Sequence, residues 1–324
     1  MTSVLDSLQF GSHLDVAAHT SAGAGLPLRL ENQDNFLLID VQGRAVFRRG
    51  QQEQHQRVAG WAQGHARIAV LDGMGGHGQG REAAEAVVAG LLSIPACATL
   101  GELSSHLDAL HTSLQLHFGS ADGAAKRPGT TLTMLELRPG KPALLYHVGD
   151  SRLYEIRSGR VTPLTVDHVP ATAFAMAGLL GEHEWWQQVH GEHRSQISQA
   201  FILGNAFANP AVLSDPLFEL SPLNLPPYLY HLPDRRALEL EAGAIYLLAT
   251  DGFWACAEPY PWVAGWPDLL EGRVGARAMN DALFAEIENR PPENLHMDNL
   301  TAVVLRVKTG HGADETALPT GELC

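Results

Sequence analysis

Residues 70–82 read VLDGMGGHGQGRE, and the reading of this stretch decides the fold. Its glycines, Gly73-Met74-Gly75-Gly76-His77-Gly78, match the G-x-G-x-x-G spacing of a dinucleotide loop, and residues 67–71 before them look like a buried strand. Asp72 argues against that loop. It stands directly ahead of the first glycine, where its carboxylate would face a pyrophosphate of the same charge. A dinucleotide site also wants another strand soon after its first helix, with an acid about 20 residues beyond the glycines. Here one helical stretch, 82–93, is followed by a second, 102–117, with Pro95 breaking the chain between them.

Outward from the loop, short β-like runs cover 13–19, 36–40, 45–48 and 65–71. They lie too close together for crossover helices, so they predict antiparallel pairing. Strands return at 131–137, 143–148 and 152–156, then at 244–249 and 299–307, with a helix predicted over 276–288. Meanders of strands, then helices, then strands again predict an α+β fold built on antiparallel sheets with helices outside, and not a doubly wound parallel sheet. The stretch 170–242 is the least regular and reads as helices plus an excursion; it holds Trp185-Trp186, expected in a packed core or at a hinge, and a proline-rich patch at 222–227. Residues 1–308 are expected to form one domain and 309–324 a disordered tail.

The 324 residues are 45% hydrophobic and 18% charged, the balance of a globular chain with a sizeable core. The formal net charge of −14 excludes general attraction to nucleic acid or to an anionic membrane and suits the binding of cations. Cys97, Cys256 and Cys324 are too few and too scattered for a disulfide framework or a zinc knuckle. The start, MTSVLDSLQF, has no basic segment followed by an apolar run, and the most apolar stretch, 86–100, is too short to span a bilayer. A cytoplasmic location is expected. The 16 histidines show no metal-ligand pair on a convincing helix.

Four aspartates sit where an apolar run ends or begins: Asp72 in RIAVLDG, Asp150 in LLYHVGDSRLY, Asp251 in IYLLATDG and Asp298 in MDNLTAVVLRV. Any one of them alone is an ordinary turn residue. If their strands pair side by side the acids converge, and clustered carboxylates repel unless protonated or neutralised by cations. Oxygen donors without Cys or His select hard cations such as Mg²⁺ or Mn²⁺. The glycines after Asp72 would let a backbone carbonyl such as that of Gly73 reach an ion. Upstream, LRLENQDNF places Arg29 close to Asp34, and a guanidinium fork beside a metal pair suits phosphoryl oxygens.

Taken in order, RLENQD, VLDGMGGHGQGREAA, GTTLTML, HVGDSRLY, LLATDGFW and DNLTAVVL resemble the protein phosphatase 2C family of metal-dependent serine/threonine phosphatases, in its bacterial branch, from Arg29 to Val307. The resemblance implies two antiparallel sheets packed as a sandwich with helices on both outer faces. It also implies two Mn²⁺ or Mg²⁺ ions bridged by Asp72, with Asp251 and Asp298 completing one site and the Gly73 carbonyl serving the other. Asp34 would hold bound water behind them, Asp150 a third, weaker ion, and Arg29 the phosphoryl group. The implied activity is hydrolysis of phosphoserine and phosphothreonine in proteins by a metal-activated hydroxide attacking in line, opposing a serine/threonine kinase in bacterial signalling. Thr130 and Thr131 are candidates to orient the acids. The chain departs from the family at Gln33, where many relatives have glutamate; at Met74, where eukaryotic members have a histidine; and at Ala255, where some have a further acid. His77 is not assigned to the missing histidine. These departures leave a second reading, a catalytically impaired relative that keeps the fold as a binding module.

Overall fold

A computed structural model describes residues 8–23, 29, 31–75, 79–119, 127–192, 194, 196–207, 213–214 and 216–309. The glycine loop at 76–78, His77 included, lies outside the described residues, as do Cys324 and all of the expected tail beyond residue 309. In chain order come β1 (Leu14–Ser21), β2 (Asn35–Ile39), β3 (Arg44–Arg49), β4 (Gln52–Arg57), β5 (Ala66–Leu71) and β6 (Gly73–Met74), then α1 (Gln79–Ser93) and α2 (Leu100–Phe118). Next are β7 (Gly129–Thr130), β8 (Leu132–Arg138), β9 (Lys141–Val148), β10 (Arg152–Arg157) and β11 (Arg160–Pro163). The irregular region supplies α3 (Pro170–Met176), α4 (Glu182–His190), β12 (Gln199–Ala200), β13 (Gly204–Asn205) and β14 (Arg235–Leu238). The chain closes with β15 (Ile245–Ala249), a 3-10 turn at Asp251–Phe253, α5 (Pro259–Ala264), α6 (Trp266–Leu270), α7 (Ala276–Asn289) and β16 (Leu300–Val307).

Two antiparallel sheets carry the molecule, one in the order β1-β16-β15-β10-β11 and the other in the order β14-β9-β8-β5-β2-β3-β4. The expected sandwich is therefore present. Strands are buried on both faces, which explains their nearly continuous apolar runs. Along β2, Leu38 turns inward to the core between the sheets, meeting Ile68, Val70, Leu248 and Val303, while Leu37 and Ile39 turn outward under α1 and α2. On the opposite face, Leu247, Ala302 and Val304 pack under α6 and α7 through Trp266, Met279, Leu283 and Ile287. Each buried Val, Leu, Ile or Met side chain among them stabilises the fold by roughly 1.5–3 kcal/mol. In α1 the small and apolar residues Ala83, Ala84, Val87, Val88 and Leu91 recur at helical spacing on the buried face. α2 starts at a capping box: the Glu102 N–H donates to Thr99 Oγ1 at 3.2 Å, and the Thr99 N–H to the Glu102 carboxylate at 3.2 Å.

Three departures from the sequence reading are all edge strands. β4 is polar at every position, QEQHQR, because it is the last strand of its sheet and mostly faces solvent. β11 is likewise an edge. β14, expected inside the irregular region, instead pairs with β9, Arg235 opposite Tyr146, and closes the other edge of the larger sheet. Among the described residues of 170–242, Ala175, Trp185, Val189, Leu220 and Leu229 form a separate cluster with Val166, so Trp185 belongs to a core, whereas Phe201 and Ile202 join the core under α1 and α2. Among the described residues no helix is long and apolar enough to cross a membrane.

Candidate active site

Antiparallel pairing puts the start of one strand beside the end of its neighbour, and this single rule gathers the acids. Asn35 lies opposite Leu71, so Asp34 and Asp72 adjoin at one end of β2 and β5. Ala249 lies opposite both Arg152 and Ala302, so Asp251, following β15, is flanked by Asp150 ahead of β10 and by Asp298 ahead of β16. Both sheets present these ends on the same side. Asp72, Asp150, Asp251 and Asp298 line one cavity of about 250 Å³ together with Arg29, Gln33, Gly73 and Met74. Asp34 lies behind it, buried.

Glycine is required where backbones crowd this wall. A β-carbon on Gly73 would stand 2.6 Å from the Gln33 carbonyl oxygen, and one on Gly149 would stand 2.6 Å from Thr131 Cγ2. Gly149 also has φ +109°, so the turn that presents Asp150 needs glycine twice over.

Hydroxyls and amides brace the acids from outside the cavity. The Asp72 N–H donates to Thr131 Oγ1 at 2.8 Å, and the Thr131 N–H donates back to the Asp72 carbonyl at 2.9 Å. Thr131 Oγ1 lies 2.6 Å from Ser151 Oγ, next to Asp150. Thr131 therefore fixes the backbone of Asp72. Thr130, its expected companion, donates its hydroxyl to the Thr131 carbonyl at 3.0 Å. Among the hydroxyls that act on Asp34 is that of Thr250, which donates to Asp34 Oδ2 at 2.8 Å and accepts from the Thr301 N–H at 3.0 Å. Asn299 locks the segment carrying Asp34: its Oδ1 accepts from the Gln33 N–H at 2.9 Å, and its Nδ2 donates to the carbonyls of Ala22 and Glu31. Thr250 and Asn299 were not anticipated. Their signal was adjacency, each standing next to a predicted acid on a strand end.

The electrostatics are those of unneutralised crowding. Burial, opposed by the Thr250 hydrogen bond and reinforced by Asp298 and Asp251, pushes Asp34 up to about 7. Burial and then the charges of Asp34, Asp251, Asp298 and Asp150 hold Asp72 well above the carboxylate range. Asp34 Oδ1 is buried without a hydrogen-bond partner among the described residues. Arg29 is the one cation among the described residues of the wall; its Nη2 pairs with Asp298 Oδ1 at 3.0 Å and its Nε donates to the Met297 carbonyl at 3.0 Å. The expected phosphate-binding arginine is thus at the cavity, with its fork turned onto an acid. Among the described residues no three His, Cys, Asp or Glu side chains are drawn together tightly enough to form a finished metal cage. The donor chemistry nevertheless fits hard divalent ions: oxygen atoms only, mutual repulsion awaiting positive charge, and an orphaned carboxylate oxygen. Ala255 is buried and adds no acid.

No family model matches the chain. Among curated proteins it is similar to the serine/threonine protein phosphatase PstP of Mycobacterium tuberculosis, 37% identical over 108 residues, which are 31% of this chain and 20% of that protein. The match spans about a fifth of that relative's length. Among solved structures, a serine/threonine phosphatase of S. agalactiae superposes with a TM-score of 0.64 at 22% identity, covering 91% of this chain and 100% of that one. The PPM Ser-Thr phosphatase MsPP of Mycobacterium smegmatis, solved with cacodylate, gives 0.59 at 23% identity over 93% of this chain and 100% of that one. The catalytic domain of PstP with two manganese ions gives 0.56 at 22% identity over 91% and 99%. The resemblance read from the motifs is borne out, and the chain has the fold of the PPM-type phosphatases.

Proposed function

We propose that this chain is a metal-dependent phosphatase that removes phosphate from phosphoserine and phosphothreonine in proteins. The observation that carries the reading is the convergence of Asp72, Asp150, Asp251 and Asp298 with Arg29 on one cavity at the matched ends of two sheets. Asp72, Asp251, Asp298 and the Gly73 carbonyl would hold two Mn²⁺ or Mg²⁺ ions, and Asp150 a third, weaker one. Such ions, when bound, supply Lewis acidity and lower the pKa of bound water toward neutrality. Asp34, held by Thr250, would keep a water hydrogen-bonded and oriented toward phosphorus. Arg29 would exchange its bond to Asp298 for the phosphoryl oxygens, since cations filling the cavity lower the value of that ion pair.

The solved relative with two manganese ions supports a metal requirement, and PstP, a serine/threonine protein phosphatase by name, supports a phosphoprotein substrate and hence an opposing kinase. Purified protein is expected to hydrolyse p-nitrophenyl phosphate and phosphothreonine peptides with added Mn²⁺ and to lose this with chelator. Metal-independent turnover would contradict the proposal. The engagement of Arg29 by Asp298 favours the second reading, a catalytically impaired module; that reading requires no turnover at saturating Mn²⁺.

A further inference from the structure

A second cavity, of about 360 Å³, opens between the excursion and the body of the protein and shares no lining residue with the acid cavity. Its size lies within the range of small-molecule sites. One wall is aromatic: the His190 ring lies 4.0 Å from that of Trp186 at 32°, and Tyr260 meets Trp186 edge-on at 6.3 Å. These rings come from separate elements, α4 and α5, and Tyr260 remains 61% exposed at the rim. The opposite wall is the edge strand β11, with Arg160 and Val161.

Charge and hydrogen bonding set this cavity apart. No acidic residue is among the described residues that line it, although the chain carries a formal net charge of −14. Of its two arginines, Arg152 is already held by Asp167 through Nε and Nη2 at 2.7–3.0 Å, whereas exposed Arg160 makes no ion pair among the described residues. His190 is only 7% exposed, and its Nε2 has no hydrogen-bond partner among the described residues. Burial, with Arg152 nearby, keeps this imidazole neutral, so it adds no charge to the wall.

We propose that this cavity binds a small planar aromatic anion, with its ring against Trp186 and Tyr260 and its acidic group toward Arg160. The rings supply stacking and edge contacts that an aliphatic ligand does not use, and the guanidinium fork suits a carboxylate or phosphate. The site is independent of the phosphatase reading.

The test uses the full chain in chelator, so that the acid cavity offers no cation, with 3-fluoro-4-hydroxybenzoate as the probe and fluorine NMR as the readout. Saturable binding is expected, with the neutral 3-fluoro-4-hydroxybenzamide about tenfold weaker. Arg160→Ala should bring the benzoate down to the level of the amide and leave the amide unchanged; Trp186→Leu should remove both. Absence of saturable binding, equal binding of acid and amide, or an unaltered benzoate affinity in Arg160→Ala would each overturn the proposal. Arg160 is exposed, so that variant keeps the test decisive even if Trp186→Leu does not fold.

Discussion

The two ends of β5 bury charge in opposite ways. At its start Arg67, fully buried, is matched at every turn: Nε to Glu136 at 2.6 Å, Nη1 to the carbonyls of Leu91 and Ile94, and Nη2 to that of Pro95. The other Glu136 oxygen accepts the Cys97 N–H at 3.0 Å. Five residues further on comes the reverse. Beyond the last residue of β5, Asp72 faces four further carboxylates and is pushed toward protonation. Compensation is the difference, and it separates a buried charge that ties a sheet to a helix end from buried charges that await something the chain does not contain.

The largest effect tests the uncompensated end. Asp72→Asn should lower Mn²⁺-dependent turnover by at least about 10³-fold, because one residue would serve both ions. In chelator the same variant should melt no lower than wild type, since it removes like-charge repulsion. A variant that stays active, or one that unfolds, would erase the contrast. At the compensated end the outcome reverses. Arg67→Ala should cost about 3–5 kcal/mol in urea unfolding by stranding Glu136, with kcat per folded molecule unchanged.

Titration sharpens the same contrast. With Asp34 held at about 7, the metal-free folded chain keeps a proton that the unfolded chain releases in the ordinary carboxylate range. Its contribution to stability is complete below the unfolded pKa and is lost as pH rises through about 7, a negative slope on the order of 1 kcal/mol per pH unit. Buried neutral histidines act oppositely: His168, held down to about 3 by burial, loses stability for the fold as pH falls below its ordinary range. The clean measurement is therefore a difference. Metal-free Asp34→Asn should gain on wild type in unfolding free energy as pH rises from about 4 to about 7, and Mn²⁺ should shrink the gain. A difference that stays flat across this window would show that Asp34 is not protonated in the fold.

Much of this was legible in the sequence because double-sided burial writes itself as apolar runs. The runs at 36–40 and 65–71 became β2 and β5 almost residue for residue, and the acids at their ends followed from pairing alone. Edge strands escaped for the converse reason: QEQHQR of β4 has one neighbour and little to bury, so its side chains carry no pattern. Thr250 and Asn299 escaped because a threonine just after a strand and an asparagine just before one are unremarkable until their partners are known. The sandwich is a property of each strand by itself, whereas the bracing of Asp34 depends on Thr250, 216 positions away.

The smallest effect sets one arginine against another. Arg29 also pairs with a carboxylate, Asp298, at 3.0 Å, yet both side chains are part exposed, at 41% and 23%. Such a pair adds at most about 1 kcal/mol, so Arg29→Ala should leave the melting temperature nearly unchanged where Arg67→Ala lowers it. Its cost should fall on substrate: KM for a phosphothreonine peptide raised about tenfold, with kcat within about twofold, as expected for a contact made equally in the ground and transition states. Arg29→Lys should recover stability without recovering KM, because an ammonium replaces the charge and not the planar fork. An unchanged KM in both variants would move Arg29 to the compensated side of the molecule, as a second structural arginine whose partner happens to lie at the cavity.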